Sequence, residues 1–269
     1  VIRIAKEAGS IWKVYRSTLP VTLLTALVLT AVLMYCIGRI RLQHEKTLQN
    51  ARLRQEFAAN VSHELKTPLT SISGYAELIA NGMASKKEGR HFAGQIYENA
   101  QRLLSLINDT LQLSELDDPS EEKFTFETLD LYELAAGCMD MMKPVADRHR
   151  VSLSLKGSPL FIQADRGLLE ELLYNLCDNA IRYNKEGGHV WITVSGQLIV
   201  QDDGIGIPVK HQKNVFQRFY RVDKSRSRKT GGTGLGLAIV KHIAEVHNAS
   251  ISLESDEGIG TVICVSFPK

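Results

Sequence analysis

The chain has 269 residues, of which 44% are apolar and 23% charged, so it is long enough to bury a hydrophobic core in two domains. Its net charge of +2 is close to neutral for this length and gives no reason to expect nucleic acid as a direct partner. The four cysteines form no C-x-x-C pair, which argues against a disulfide framework or a cysteine-based metal cluster.

Residues 1–16 begin without a methionine, and apolar residues alternate with others from Val1 to Ile4. This alternation predicts a short strand. We therefore expect residues 1–16 to be the remnant of a longer extracytoplasmic segment.

The stretch of residues 17–38, "STLPVTLLTALVLTAVLMYCIG", contains no charged residue. It has about the 20 residues that a helix needs to cross a bilayer. A buried core helix rarely stays apolar on every face over this length, and a signal peptide has a shorter apolar region with a small-residue cleavage site. We predict a transmembrane helix at 17–38. Lys and Arg are similar in number on its two flanks, so charge does not set its orientation.

Residues 39–56 are predicted to form a linker helix, and residues 57–117 a hairpin of two amphipathic helices. Apolar residues recur at three- and four-residue steps in both halves, with a break at Ser85–Gly89. The two stripes are Phe57, Val61, Leu65, Leu69, Ile72 and Ile79, then Phe92, Ile96, Leu103 and Ile107. One such pair has too little core of its own, so we expect two copies to form a four-helix bundle in a homodimer.

The first helix of the hairpin contains "NVSHELKTPLTSI", in which His63 and Glu64 open an H-E-x-x-T pattern. A zinc hydrolase would need a second histidine where Thr67 stands, so that interpretation fails. His63 falls off the apolar stripe and is predicted to face solvent, with Thr67 on the same face one turn later. Pro68 is expected to bend or loosen the helix.

The charged segment "DDPSEEK", residues 117–123, is predicted to be a linker. Beyond it, residues 124–269 alternate strand-like runs such as "VSLSLKG", "VWITVSG", "QLIVQDD" and "GTVICVSF" with helical stretches at 131–148, 166–183 and 234–247. This order predicts an α+β fold, with helices on one face of a sheet.

One helix of this region, "EELLYNLCDNAIRYN", has a polar face formed by Glu171, Asn175, Asn179 and Arg182. Carboxylate and amide oxygens suit Mg²⁺, and a guanidinium suits phosphate oxygens. An ordinary solvated helix face accounts for the same four residues equally well.

Two glycine-rich segments follow the helix. In "VQDDGIGIP", the Asp202 carboxylate has the chemistry to accept a hydrogen bond from an exocyclic amine, and Gly204 and Gly206 allow a flat ring to approach the backbone. In "TGGTGLGLAIVKHI", glycines at the start of a helix favour phosphate binding, although the pattern is neither a Walker A loop nor a dinucleotide motif. The glycines of this second segment include Gly231, Gly232, Gly234 and Gly236. The basic, aromatic loop between the segments is typical of a lid.

Taken in order, these segments resemble the motifs of bacterial sensor histidine kinases of two-component systems. They correspond to a phospho-acceptor box "FAANVSHELKTPLT", an asparagine box "NLCDNAIRYN", a first glycine box "DDGIGIP", a phenylalanine box "FQRFYR" and a second glycine box "GGTGLGLAIVK". The resemblance extends from about Phe57 to the C-terminus. It implies a HisKA-type dimerisation domain followed by a GHKL-type α/β sandwich that binds ATP. The wording "FQRFYRVDKSRS" looks most like that of phosphate-starvation sensors.

The resemblance also implies roles for individual residues. His63 would accept the γ-phosphoryl group of ATP, Glu64 would act as its base, and Thr67 would position a water for dephosphorylation of the partner. Asn179 would bind Mg²⁺, with support from Asn175 and Glu171. The remaining nucleotide-binding positions are Arg182, Tyr183, Asp202, Gly204, Gly206, Phe216, Phe219, Arg221, Gly232, Gly234 and Gly236.

The expected partners are a response regulator receiver domain and a second copy of the chain. Because ATP is cytoplasmic, the catalytic domains would lie on the cytoplasmic side of a bacterial cell membrane, with an earlier spanning helix and a sensing domain before residue 1. Arg182 departs from the usual lysine, which keeps the charge but changes its geometry. The alternatives are a non-catalytic or mainly phosphatase module, and a gyrase-like ATPase that gives His63 no role.

Overall fold

The computed structural model of the chain describes the backbone of residues 2–116, 124–223 and 232–268. Within its first helix, the side chains at 2–18, 21, 22, 25, 26, 46, 49, 50 and 52–54 are outside the description. The predicted linker at 117–123 and Gly231 lie outside the described residues. The chain divides into two compact units, Val1–Ala59 and Asn60–Lys269.

Helix α1 (Ile2–Ala80) supplies all of the described backbone in the first unit. The strand predicted at Val1–Ile4 is wrong, because Ile2 to Ile4 are helical. An alternation of four residues is too short to outweigh the helical preference of the sequence around it. The predicted spanning stretch 17–38 has six side chains outside the described set, and its described apolar side chains are exposed. No helix among the described residues is long and apolar enough to cross a membrane.

The second unit begins with a helical hairpin, in which the last part of α1 is followed by α2 (Lys86–Leu116). Helix α1 continues through Pro68 to Ala80 without a break in helical structure. Helix α2 begins with a capping box, in which the Ser85 amide donates to Glu88 Oε2 (2.9 Å) and the Glu88 amide to Ser85 Oγ (3.4 Å). The turn therefore precedes Lys86, and Gly89 of the predicted break lies inside α2.

One face of the hairpin remains uncovered in the single chain. Tyr75 of α1 stacks on Phe92 of α2 with ring centroids 5.2 Å apart, which joins the two helices. In contrast, large apolar side chains on both helices are exposed, among them Leu69, Leu78, Ile79, Leu104, Ile107 and Leu111. This distribution fits a surface that a second copy covers.

The rest of the unit is an α+β region, as predicted. Its strands are β1 (Phe126–Asp130), β2 (Ser152–Gly157), β3 (Phe161–Asp165), β4 (His189–Val194), β5 (Leu198–Asp202), β6 (Ser250–Asp256) and β7 (Gly260–Ser266). Its helices are α3 (Leu131–His149), α4 (Arg166–Arg182), the short α5 (Val209–Gln212) and α6 (Gly236–Val246). The strands form a five-stranded sheet in the order β2-β4-β5-β7-β6 and a two-stranded antiparallel sheet of β1 and β3. Only β2 and β4 run parallel in the larger sheet.

The core lies between the larger sheet and helices α3, α4 and α6. Alternate residues of β4 are fully buried, namely Val190, Ile192 and Val194. The apolar side of α4 faces them, because Leu169, Leu172 and Leu173 are completely inaccessible to solvent. Packing this side of α4 into the core leaves its opposite, polar side directed toward a cavity, which is what positions the candidate site.

An isolated histidine such as His247, with no ligand spacing to another histidine, is predicted from the sequence to be a surface or lid residue, and for His247 this prediction is wrong. Its side chain is almost completely buried, and its ring packs against Phe126 and Phe267. Nε2 accepts a hydrogen bond from the Asp165 amide (3.1 Å), and Nδ1 donates to the Ile243 carbonyl (2.8 Å). The neutral ring thus joins the end of α6 to the start of α4, a tertiary role that a single histidine in a sequence does not reveal.

Candidate active site

A cavity of about 380 Å³ lies between α4, the ends of β5 and β7, and the start of α6. This volume is within the usual range for small-molecule sites. Eleven of the residues predicted from the sequence line it, and these are Glu171, Asn175, Asn179, Arg182, Tyr183, Asp202, Gly206, Arg221, Gly232, Gly234 and Gly236. The asparagine, first glycine, phenylalanine and second glycine motifs, which are separate in the sequence, therefore meet at one place in the fold.

The asparagine motif presents oxygen atoms to the cavity. The Asn175 Nδ2 atom donates to Glu171 Oε1 (2.9 Å), and Asn179 Nδ2 donates to the Asn175 carbonyl (2.8 Å). Because both amide nitrogens bond within α4, the Oδ1 oxygens are the atoms that these residues can offer to a ligand. A Cβ on Gly236 would lie 2.7 Å from Asn175 Oδ1, so the start of α6 can approach α4 this closely only through a glycine.

Arg182 also belongs to this polar face, where its Nε atom donates to Asp178 Oδ2 at 2.5 Å. Burial opposes the charge on Arg182, but the neighbouring Asp178 carboxylate outweighs it and raises the pKa of the guanidinium. Asp178 Oδ1 is buried and has no hydrogen-bond partner in the described part of the chain. Asp178 was not predicted, although its place one turn before Arg182 was a signal for an ion pair.

Asp202 ends β5 at the opposite wall of the cavity. Burial raises the pKa of its carboxyl group to about 6, although its Oδ1 atom accepts a hydrogen bond from the Gly204 amide (2.9 Å). Gly206, which lines the same wall, has a φ of 64°, and a Cβ there would lie 1.9 Å from the Asp256 carbonyl oxygen. Only glycine fits at that position, so the backbone is held close to the cavity. Gly204 supports Asp202 but does not itself line the wall.

The phenylalanine motif reaches the cavity through Arg221, one of the predicted residues, but not through its two phenylalanines. Phe216 and Phe219 are half-buried and do not line the cavity, whereas Val215 and Tyr220 do. Phe219 has a φ of 62°, which is uncommon for a bulky side chain, and its amide donates to the Gly234 carbonyl (2.8 Å). This bond joins the phenylalanine motif to the second glycine motif. A sequence pattern cannot distinguish such an anchoring residue from its lining neighbours.

Arg221 connects the cavity to the helical hairpin. Its side chain is only 9% exposed, and its Nη2 atom donates to Glu64 Oε2 (3.0 Å) and to the Thr233 carbonyl (2.9 Å). Its Nε atom is buried without a hydrogen-bond partner among the described residues. A buried guanidinium with one unsatisfied donor is suited to an additional anionic ligand.

His63 lies next to this connection and does not line the cavity. Its side chain is 72% exposed, in agreement with the predicted orientation toward solvent. The Nδ1 atom is 3.7 Å from Glu64 Oε1, so the two carboxylate oxygens of Glu64 face His63 and Arg221 respectively. Thr67 Oγ1 donates to the His63 carbonyl (3.3 Å), which keeps Thr67 on the same side of α1.

A second connection, which was not predicted, involves Asp109 of α2. The Thr233 hydroxyl donates to Asp109 Oδ2 at 2.7 Å. Burial, and to a smaller extent the nearby carboxylates of Glu171 and Asp178, raise the pKa of Asp109 to about 6. Asp109 and Ser105 also line the cavity, so part of its wall comes from the hairpin. No short motif signals Asp109, because its partner lies 124 residues away in the sequence.

Comparison with known proteins identifies both parts of this arrangement. Residues 53–119 match the family described as His Kinase A (phospho-acceptor) domain. Residues 164–269 match the family described as Histidine kinase-, DNA gyrase B-, and HSP90-like ATPase. The fold and the matches together define a class of proteins in which a phospho-acceptor hairpin is joined to an ATPase-type domain.

The chain carries both of these domains, and the relatives that it matches are sensor histidine kinases. It is 38% identical over 224 residues to the sensor histidine kinase WalK of Bacillus subtilis, an alignment that covers 80% of this chain and 36% of WalK. It is 38% identical over 222 residues to the sensor-like histidine kinase SenX3 of Mycolicibacterium smegmatis, covering 80% of this chain and 58% of SenX3. The chain therefore spans between one third and three fifths of the length of these relatives.

Among solved structures, the chain resembles full-length ShkA in complex with AMPPNP. The TM-score is 0.57 at 27% sequence identity, over 79% of this chain and 45% of ShkA.

Proposed function

We propose that the chain is an ATP-dependent protein-histidine kinase that phosphorylates His63. The observation that carries this proposal is the contact of 3.0 Å between Glu64, the neighbour of His63, and Arg221, which lines the cavity. Through this contact an exposed imidazole lies beside a cavity built for a polar ligand. A gyrase-like ATPase would have no use for an exposed histidine at this position.

The cavity is proposed to bind ATP, with the adenine ring near Asp202 and the phosphates between α4 and the second glycine motif. An ionised Asp202 carboxylate accepts a hydrogen bond from the exocyclic amine of adenine. Arg182 and the glycine-rich start of α6 supply a positive charge and backbone N–H groups for the phosphates. The bound AMPPNP in the ShkA structure supports a nucleotide ligand for this fold. Tyr183, Gly204, Phe216 and Phe219 are proposed to shape the pocket and its lid.

The residues present also fit a magnesium ion. Asn179 would hold it through Oδ1, with Glu171 offering Oε2 because its Oε1 atom accepts from Asn175. Mg²⁺ in kinase sites takes one or two protein ligands together with substrate phosphates, so this small donor set is sufficient. When bound, the ion would neutralise charge on the phosphates. Among the described residues there is no cluster of three or more His, Cys, Asp or Glu that could hold a metal by itself.

Phosphoryl transfer follows from the orientation of the imidazole. The Glu64 carboxylate lies 3.7 Å from Nδ1, and in the reacting state it would hold the proton on that nitrogen and leave the Nε2 lone pair as the nucleophile. Nε2 forms a bond to the γ-phosphorus as the bond from phosphorus to the β,γ-bridging oxygen breaks and ADP leaves. The developing imidazolium is stabilised by the Glu64 carboxylate, which the contact with Arg221 holds in place.

The phosphoryl group would pass from His63 to an aspartate of a response regulator, and Thr67 would position a water when the protein dephosphorylates that regulator. The exposed apolar face of the hairpin supports a homodimer.

We further propose the following division of the chain. Residues 1–16 are an extracytoplasmic segment, 17–38 a transmembrane helix in a bacterial cell membrane, and 39–56 a linker helix. The dimerisation and phosphotransfer domain would be 57–117, and the cytoplasmic ATP-binding domain 124–269. The uncharged sequence of 17–38 supports the membrane assignment.

The test is incubation of the purified chain with ATP labelled at the γ-phosphate. Label that is lost in acid and retained in alkali is expected on the wild type and absent from His63→Ala. The matched control is His91→Ala, which removes another exposed histidine of the same hairpin and should leave labelling unchanged. ATP hydrolysis without labelled protein would support an ATPase instead, and label on His63→Ala would contradict the proposal.

A further inference from the structure

Two polar contacts join the cavity region to the hairpin within a single chain. Arg221 bonds Glu64 on α1, and Thr233 bonds Asp109 on α2. All four residues belong to one compact unit, Asn60–Lys269. The cavity region therefore contacts both helices of its own hairpin.

These contacts lie close to the reacting groups. The Arg221–Glu64 bond ends at the carboxylate that also faces His63, and Thr233 belongs to the second glycine motif. Helix α2 packs against α6, which begins in that same motif. Because Ser105 and Asp109 line the cavity, the hairpin of the same chain completes its wall.

Separating the cavity from this hairpin would be costly. Arg221 is nearly buried, and the loss of Glu64 would leave its charge without that partner. Thr233 would lose its hydrogen bond to the Asp109 carboxylate, and hydrogen bonds to a carboxylate are among the stronger ones in proteins. To serve the histidine of another copy, the region would first have to give up both contacts. Phosphoryl transfer requires reacting atoms about 3–3.5 Å apart, so the histidine already held beside the cavity has the advantage.

We infer that each ATP-binding region phosphorylates His63 of its own chain and not His63 of a second copy. This inference rests on the proposed kinase function and specifies its phospho-acceptor. Arg221 and Asp109 then act as positioning residues that hold the donor site against its own acceptor helix.

The test uses two forms of the chain with tags of different mass, co-expressed and isolated as heterodimers by successive affinity steps. One heterodimer pairs the wild type with a His63→Ala, Asn179→Ala double variant. The other pairs a His63→Ala chain with an Asn179→Ala chain. The first can be labelled only if transfer stays within a chain, and the second only if transfer crosses between chains.

We expect the first heterodimer to carry about half the label of the wild-type homodimer, on the wild-type subunit, and the second to carry less than about one twentieth. Label on the Asn179→Ala subunit of the second heterodimer overturns the inference, as does an unlabelled first heterodimer. The wild-type homodimer distinguishes failure of this inference from failure of the proposed function. If the homodimer itself is unlabelled, the kinase function is refuted.

Discussion

The Thr233 hydroxyl, in the second glycine motif, donates a hydrogen bond of 2.7 Å to Asp109 Oδ2 on the second helix of the hairpin. The same hydroxyl accepts from the Leu235 amide (3.2 Å), next to the start of α6. One side chain thus joins the hairpin to the beginning of the helix that would receive the phosphates. Substitutions of Thr233 or Asp109 should alter the contact between the hairpin and the ATP-binding region without removing nucleotide-binding groups.

Thr233→Val, which keeps the shape of the side chain but removes its donor, should lower the kcat of autophosphorylation about 10- to 100-fold, the range for loss of a hydrogen bond to a charged group. Thr233→Ser keeps the hydroxyl and should retain most of the activity. The dissociation constant for a non-hydrolysable ATP analogue should stay within about threefold in both variants. An equal loss of affinity and kcat in Thr233→Val would indicate a role in binding instead of positioning.

Asp109→Asn should stabilise the protein at neutral pH. The pKa of Asp109 is raised from 3.8 to about 6 in the folded protein, so the folded state holds this proton more tightly than the unfolded state does. The contribution of this group to stability therefore falls as pH rises from 4 to 6, by up to about 3 kcal/mol. The free energy of unfolding of Asp109→Asn should exceed that of the wild type above pH 7, and the difference should vanish near pH 4. A difference that does not change with pH would contradict this account.

The sequence predicted most of the α+β region, since α3, α4 and the strands β2, β4, β5 and β7 follow from apolar periodicity. The same periodicity indicates which side of each helix or strand is buried. For this reason Asn175 and Asn179 were correctly placed on the polar side of α4. Apolar periodicity gave a wrong prediction at Val1–Ile4, because the alternating stretch is only four residues long.

Contacts between distant segments were the features that periodicity could not provide. Asp109 and Thr233 meet only because α2 packs against α6, and His247 is buried only because Phe126 and Phe267 close over it. Each depends on the arrangement of whole elements, for which no local pattern exists. The order of motifs predicted which segments meet in the cavity, but not which side chains connect it to the hairpin.

Adenosine binding should weaken below pH 6. The pKa of Asp202 is raised to about 6 by burial, and protonation removes the carboxylate that is proposed to accept from the adenine amine. The dissociation constant for adenosine should therefore increase by up to about tenfold per pH unit below 6 and be constant above 7. Adenosine is the suitable ligand because it has no phosphate groups that would titrate in this pH range. Calorimetry at several pH values measures its dissociation constant.

Asp202→Asn should bind adenosine more weakly at neutral pH and show no such pH dependence. The matched control is Asp203→Asn, because Asp203 bonds the His189 amide and Lys185 and lies outside the cavity wall. It should retain the wild-type profile. The same loss in both variants would assign the effect to the loop and not to Asp202.

The buried ring of His247 should make stability depend on pH between 7 and 5. Burial lowers the pKa of His247 below its ordinary 6.5, so the unfolded state takes up this proton first as pH falls. The free energy of unfolding should decrease as pH drops through 6.5. His247→Gln retains an acceptor for the Asp165 amide, and it should reduce this dependence while costing about 1–3 kcal/mol in lost ring packing. His149→Gln, a change at an exposed histidine, should leave the profile unchanged; an identical profile in His247→Gln would refute the assignment.

Arg221 and Glu64 should act as a unit in catalysis. Arg221→Lys keeps the charge, but the lysine side chain is one atom too short to place its amine where Arg221 Nη2 donates to both Glu64 and the Thr233 carbonyl, so kcat should fall about tenfold or more. Glu64→Gln keeps an acceptor for Arg221 but loses the charge that stabilises the imidazolium, so a fall of about 100-fold is expected, typical for loss of a general base.

In the double variant Arg221→Lys with Glu64→Gln, the two losses should not add. Because the arginine acts on the acceptor through the glutamate, the combined loss should be close to that of Glu64→Gln alone. Rapid-quench measurements of phosphohistidine formation at saturating ATP give the four rate constants. Full additivity would mean that Arg221 acts on the nucleotide independently of Glu64, since only residues that share one interaction are coupled in such a cycle.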